Sequence, residues 1–118
     1  MPRIGALAGL GLVTALAFAA CAQQGQAQAV SCPARPGDPL QNIDVFDGPP
    51  EEQAYLVPDN ATDERGSWSL AYVYNAGRFV TLRCKYGRGP AVDLKISQRI
   101  GQCQYAQQPG GALSVTCN

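Results

Sequence analysis

The sequence predicts a small, mainly β domain: an antiparallel meander or sandwich-like sheet of about five to six strands, with one short helix and two disulfides. Three observations predict it. From Trp68 onward, apolar residues recur with period two in short runs rich in β-branched and aromatic residues, the pattern of half-buried strands. Each run is bounded by Gly, Pro or Asn, the residues that supply turn conformations. Beyond residue 29 the chain carries four cysteines and, in its whole length, no histidine. Four thiols in a small exported chain read as two disulfides.

Export is read from the first residues. Arg3 precedes "IGALAGLGLVTALAFAA", a run of 17 uncharged residues over 4–20. A positive start, an apolar stretch and a small-residue cleavage region make a signal peptide, expected over 1–29. Ala27-Gln28-Ala29 and Ala20-Cys21-Ala22 both fit the cleavage rule. A third route is a lipoprotein signal over 1–20 with Cys21 as the lipidated residue, although Phe18 stands where leucine is usual. The expected location is the periplasm or the exterior; the membrane enters only through lipidation at Cys21. Residues 30–118 then form one small domain that gains from covalent staples.

The elements follow in order. "SCPARPGDP" (31–39) reads as an extended lead-in, and "LQNIDVF" (40–46) as a short strand. In "FDGPPEEQAYLVPD" (46–59), Pro49 disfavours helix before Pro50, and Pro50 suits a first helical position. Glu51 and Glu52 fall in the first turn, where carboxylates meet the positive helix end. Pro58 sets the far limit, so a helix is expected over about 50–56, held only by docking Ala54, Tyr55 and Leu56 on the sheet. "DNATDERGS" (59–67) reads as a polar loop. Strands are expected over 68–74, 79–86, 91–97, 101–106 and 112–117. On the first of these Trp68, Leu70, Tyr72 and Tyr74 share a face.

Parity places Val80, Leu82, Cys84 and Tyr86 on the core side with Val92, Leu94 and Ile96. Thr81, Arg83, Lys85, Asp93 and Lys95 then fall on the wet side, with Asp93 near Arg83 or Lys85. Setting Cys103 opposite Cys117 puts Tyr105 against Val115 and Gln107 against Leu113, a natural hairpin register. This makes Cys103–Cys117 the preferred bridge and leaves Cys32–Cys84 by elimination; the other two connectivities stay open.

The charge is balanced overall but divided along the chain. Residues 38–64 hold eight acids and no Lys or Arg, whereas residues 65–99 hold seven basic residues against Asp93 alone. An acidic half lying against a basic half of one domain accounts for this. No basic run is long or interleaved with aromatics, so no nucleic-acid partner is expected.

Several chemistries are excluded by composition. Without histidine there is no Ser-His-Asp or Cys-His nucleophile pair and the commonest metal ligand is missing. With no C-x-x-C pair and no glycine-rich phosphate loop, no metal and no cofactor are expected. The remaining enzymatic option is a pair of carboxylates. Glu51 and Glu52 do not make one by themselves, because successive residues on a helix point apart; the option rests on Glu52 with a distant acid such as Asp93. Tyr55, Trp68, Tyr72, Tyr74, Tyr86 and Tyr105 read as packing groups rather than as a stacking platform.

Cys32-Pro33, the run "FDGPPEEQAYLVPD", Trp68, Cys84-Lys85-Tyr86, Cys103 and Cys117 together resemble a family of small exported proteins of Gram-negative bacteria. The resemblance covers nearly all of 30–118 and implies a periplasmic or secreted, disulfide-bearing domain with no assigned activity. The absence of histidine and the need for staples favour, as the expected function, a non-enzymatic binding or inhibitor-type module of the envelope, its partner an envelope protein or a cell-wall component. The alternative is a small carboxylate-dependent hydrolase acting on cell-wall or glycan material. The expected contact surface is Asp47, Glu51, Glu52 and Asp59, around the docked helix.

Overall fold

Alternating β-branched and apolar residues along Val80–Tyr86 produce the central strand of the molecule, with Val80, Leu82 and Cys84 fully buried. The computed structural model describes Gly11 and residues 28–118. The expected signal peptide, with Cys21, lies outside this described part except at Gly11 and its last two residues. The described residues form eight strands: β1 (Val30–Ser31), β2 (Leu40–Asp47), β3 (Asn60–Ala61), β4 (Arg65–Ser69), β5 (Val80–Tyr86), β6 (Val92–Ile96), β7 (Gln102–Gln107) and β8 (Leu113–Cys117), with one helix, α1 (Ala71–Asn75).

These strands make two antiparallel sheets, one in the order β1-β8-β7-β4-β3 and one in the order β2-β5-β6. The fold is therefore mainly β, as expected, and sandwich-like. Ile43 and Val45 pair with Cys84 and Leu82, and Leu82 pairs onward with Leu94. Their inward side chains meet Trp68, Cys103, Val115 and Cys117 of the other sheet, while Leu70, Val73 and Ile100 close the core from the connections. Period two thus places one face of each sheet in a shared apolar layer, the main source of stability in such a sandwich.

Both expected disulfides form, Cys103–Cys117 and Cys32–Cys84. The first joins residues that face each other across β7 and β8, with Tyr105↔Val115 and Gln107↔Leu113 in the expected register. The second starts just beyond β1, at the edge of the five-stranded sheet, and ends on β5 in the middle of the three-stranded one. It ties the two layers together.

Four local expectations are corrected. The run 68–74 is not one strand. β4 ends at Ser69, Leu70 N–H donates to Gly101 O at 2.8 Å, and the chain turns into α1. The alternation of Trp68, Leu70, Tyr72 and Tyr74 concealed a second pattern: Leu70, Val73 and Tyr74 have i, i+3, i+4 spacing, and the helical reading buries Leu70 and Val73. Tyr72 is turned outward instead.

The helix expected over 50–56 is only a 3₁₀ turn, Pro50–Glu52, ended by Gln53 in the left-handed region at φ 56°. Residues 54–56 run extended along the free side of β2, with Asp47 N–H donating to Ala54 O at 2.9 Å and Leu56 N–H to Val45 O at 2.8 Å. Two helical turns without a side-chain cap gain less than these sheet-edge bonds. The extended form also sends Tyr55 and Leu56 to opposite sides, so Leu56 packs against the core while Tyr55 stacks on Phe46.

Thr81 is not on a wet face. It is buried, and its hydroxyl donates to Gly48 O at 2.8 Å. The reason is the same segment: residues 48–56 fold over the outer side of the three-stranded sheet and cover Phe46 and Thr81. Finally, the polar loop expected over 59–67 shrinks to 62–64, because Asn60 and Ala61 pair with Ser67 and Gly66.

Candidate functional site

The site is built by β2, the wrapping segment after it, and α1. Phe46 is fully buried on the outer side of its sheet. Tyr55 covers it with ring centroids 4.5 Å apart, and the Arg83 guanidinium lies 5.0 Å from the Phe46 ring. Arg83 in turn binds Asp93 through both carboxylate oxygens, at 2.7 and 3.0 Å. This is the cross-strand ion pair expected from parity, and Arg83↔Asp93 are register partners. Lys85 takes Asp44 at 2.8 Å. The acidic half of the chain does lie against the basic half.

The four acids expected at the contact surface are treated differently by the fold. Asp47, at the end of β2, accepts from Arg78 Nε at 2.7 Å, and Glu52 is bound by Arg78 Nη2. Asp59 accepts from the backbone N–H of Ser69 at 2.5 Å. Glu51 is exposed. Two of the four are therefore largely neutralised by one guanidinium, whose own pKa is raised, first by the hydrogen bond it donates to Asp47 and then by the one it donates to Glu52. The surface is not a field of free carboxylates.

What stands out beside them is apolar and aromatic. Tyr55 is 56% exposed, Val57 82% and Tyr72 54%. Tyr72 belongs to the same surface: its phenol pKa is raised, first by partial burial and then by the nearby charges of Asp47 and Asp59. Exposed tyrosines among charges mark binding surfaces more than they mark catalysis, because the ring supplies large contact area at low entropic cost. Sequence reasoning missed Tyr72 and Val57 here, and missed Arg78 as the hub. The acidic run 38–64 signalled that cations must approach it, but not which one.

The carboxylate option finds no support in this geometry. Glu52 is engaged by Arg78, and Asp93 has its pKa lowered by the hydrogen bond from Arg83. A general acid needs the opposite shift. Cys32, Cys84, Cys103 and Cys117 are all consumed in disulfides, so none is a thiolate nucleophile. Among the described residues no group of three or more Cys, Asp or Glu is placed to hold a metal ion.

The described residues form a disulfide-stapled β sandwich in which exposed Tyr55, Val57 and Tyr72 stand beside acids that Arg78 partly neutralises. The particular family is given by comparison: the model of the Type VI secretion system Tli immunity protein family matches residues 33–118, and the chain belongs to that family. Comparison with curated proteins and with solved structures gave no match. The match begins one residue after Cys32 and spans the run 46–59. The resemblance read from the sequence implied a small bacterial family without an activity; the family's description names a role.

Proposed function

We propose that this protein is a non-enzymatic immunity module that binds and blocks a type VI secretion effector outside the cytoplasm. The carrying observation is the family match over 33–118. An immunity protein acts by occupying its toxin, which requires a rigid surface and no chemistry of its own. The two staples supply rigidity, and both persist only in an oxidising compartment, in keeping with a leader that directs the chain to the periplasm. Contact is made by the surface of Asp47, Glu51, Glu52 and Asp59, with Tyr55, Val57 and Tyr72 as its apolar anchors. Arg78 holds that surface in shape.

The test is protection. Each type VI effector of the source genome is directed to the periplasm of a sensitive strain, with and without this protein. One effector is expected to be neutralised and to co-elute with the purified protein as a stable complex. Absence of protection against every effector overturns the reading. Intact mass spectrometry of the exported protein separates a chain released at Val30 from one lipidated at Cys21.

A further inference from the structure

The strand β2 is the edge of its sheet, and its free side is only half covered. The segment 54–56 lies along Val45–Asp47 and then leaves it: the Leu56 carbonyl turns away to accept from Trp68 Nε1 at 2.9 Å. The chain departs through Val57 and Pro58. Alternate residues of a strand turn their backbone groups to the same side. Val45 O and Asp47 N–H bond the segment, so Ile43 points its N–H and C=O to the uncovered part of the same edge. The Ile43 N–H is met there by its own neighbour, Asn42 Oδ1, at 2.8 Å. That side-chain oxygen stands where the carbonyl of an adjoining strand would be.

A groove of about 630 Å3 opens beside this edge, between the two sheets. Ile43, Val45, Leu56, Trp68 and Leu113 give it an apolar lining, with the exposed Val57 on its rim. Its charged lining groups are both acids, Asp44 and Asp63. Asp44 is already paired with Lys85, whereas Asp63 has no cationic partner among the described residues. An unpaired edge, an apolar groove beside it and a charge of one sign at the rim are features that strand-addition recognition uses.

We infer that the Gln41–Val45 edge of β2 receives an extended segment of the effector as an added strand. The segment is apolar at alternate positions, so that every second side chain enters the groove, and carries a Lys or Arg that meets Asp63. Asn42 releases the Ile43 N–H when the incoming carbonyl takes its place. The inference rests on the immunity reading and adds to it the conformation and chemistry of the recognised segment.

The test uses the neutralised effector and overlapping ten-residue peptides tiling its sequence. Val57→Arg with Asp63→Lys places two like charges at the groove mouth on exposed positions, and circular dichroism and the melting temperature verify the fold. The double variant is expected to bind the effector at least about tenfold more weakly. One tiling peptide containing Lys or Arg is expected to compete. Its copy N-methylated at alternate residues is expected to lose competition, a loss that side-chain docking alone would not show. If the effector binds wild type and the double variant equally, the groove is not the site and Val57 is not an anchor of the contact surface, while the immunity role itself stands. If no effector binds wild type, both readings fall.

Discussion

The guanidinium of Arg78 is shared by Asp47 and Glu52, closing a loop from the end of β2 through the 3₁₀ turn to the connection between α1 and β5. Its Nη2 also donates to the Asp47 carbonyl at 3.3 Å. Exposed ion pairs contribute little singly to global stability, but this one fixes the start of the segment that carries Tyr55 and Val57. Arg78→Gln is therefore expected to leave the melting temperature almost unchanged and to speed hydrogen exchange at Glu52 and Gln53. Effector affinity should fall with it. Unchanged exchange at these amides would show that the segment is held by its bonds to β2 alone.

Gly48 makes the turn out of β2 at φ +86°, and a Cβ there would strike the Arg78 guanidinium. An L side chain in this region costs about 1–2 kcal/mol before the collision is counted. Gly48→Ala should lower the urea midpoint accordingly, and Gly48→Ala with Arg78→Ala should recover the part due to the collision. A single variant as stable as wild type would mean that the turn relaxes freely.

The two disulfides should differ in weight. Their sequence separations are 52 for Cys32–Cys84 and 14 for Cys103–Cys117. Restriction of the unfolded chain gives each about 3–4 kcal/mol, with the longer loop ahead by about 1 kcal/mol. The Cys32→Ser, Cys84→Ser pair is thus expected to be less stable than the Cys103→Ser, Cys117→Ser pair in denaturant titrations. The reverse order would show that joining neighbouring strands matters more than joining the two layers.

Acid should weaken the fold through Asp38 and Asp93. Asp38 accepts from the backbone N–H groups of Gly89 and Arg88, both at 2.7 Å, and the Gly89 bond foremost lowers its pKa below 3.8. Asp93 is lowered chiefly by its hydrogen bond from Arg83. A carboxylate with a depressed folded-state pKa favours the fold above the unfolded value, and this contribution is lost as pH falls through the folded value. Stability should therefore decline on acidification below about pH 4, and Asp38→Asn with Asp93→Asn should flatten that decline. Equal acid slopes for wild type and the double variant would assign the decline to other carboxylates.

Much of this was legible in the sequence for a plain reason. β5, β6 and β8 alternate strictly and β7 does so as far as Tyr105, and a one-residue slip would turn their core side chains outward. Cys103 and Cys117 could therefore be set opposite each other from the hairpin register alone. Residues 68–74 and 50–56 were misread because short runs satisfy two periods at once. Leu70 and Val73 fit a helix as well as Leu70 and Tyr72 fit a strand, and the helical form is the one that buries Leu70 and Val73 in the core with Val80 and Ile100.

The class of fold, the strand registers that carry the cysteines and the chemistries a chain without histidine lacks all follow from the order of residues alone. These are local properties: side-chain period, turn residues and composition. Long-range packing makes Glu51 and Glu52 part company, one exposed and the other bound to Arg78. It also decides that Thr81 is buried, that Tyr72 faces outward and that half the edge of β2 is left uncovered. Each depends on which segment the chain lays over the outer side of the three-stranded sheet. That choice is made by long-range contacts, of Tyr55 with Phe46 and of Arg78 with Glu52, between residues whose spacing in the sequence carries no signal of their meeting.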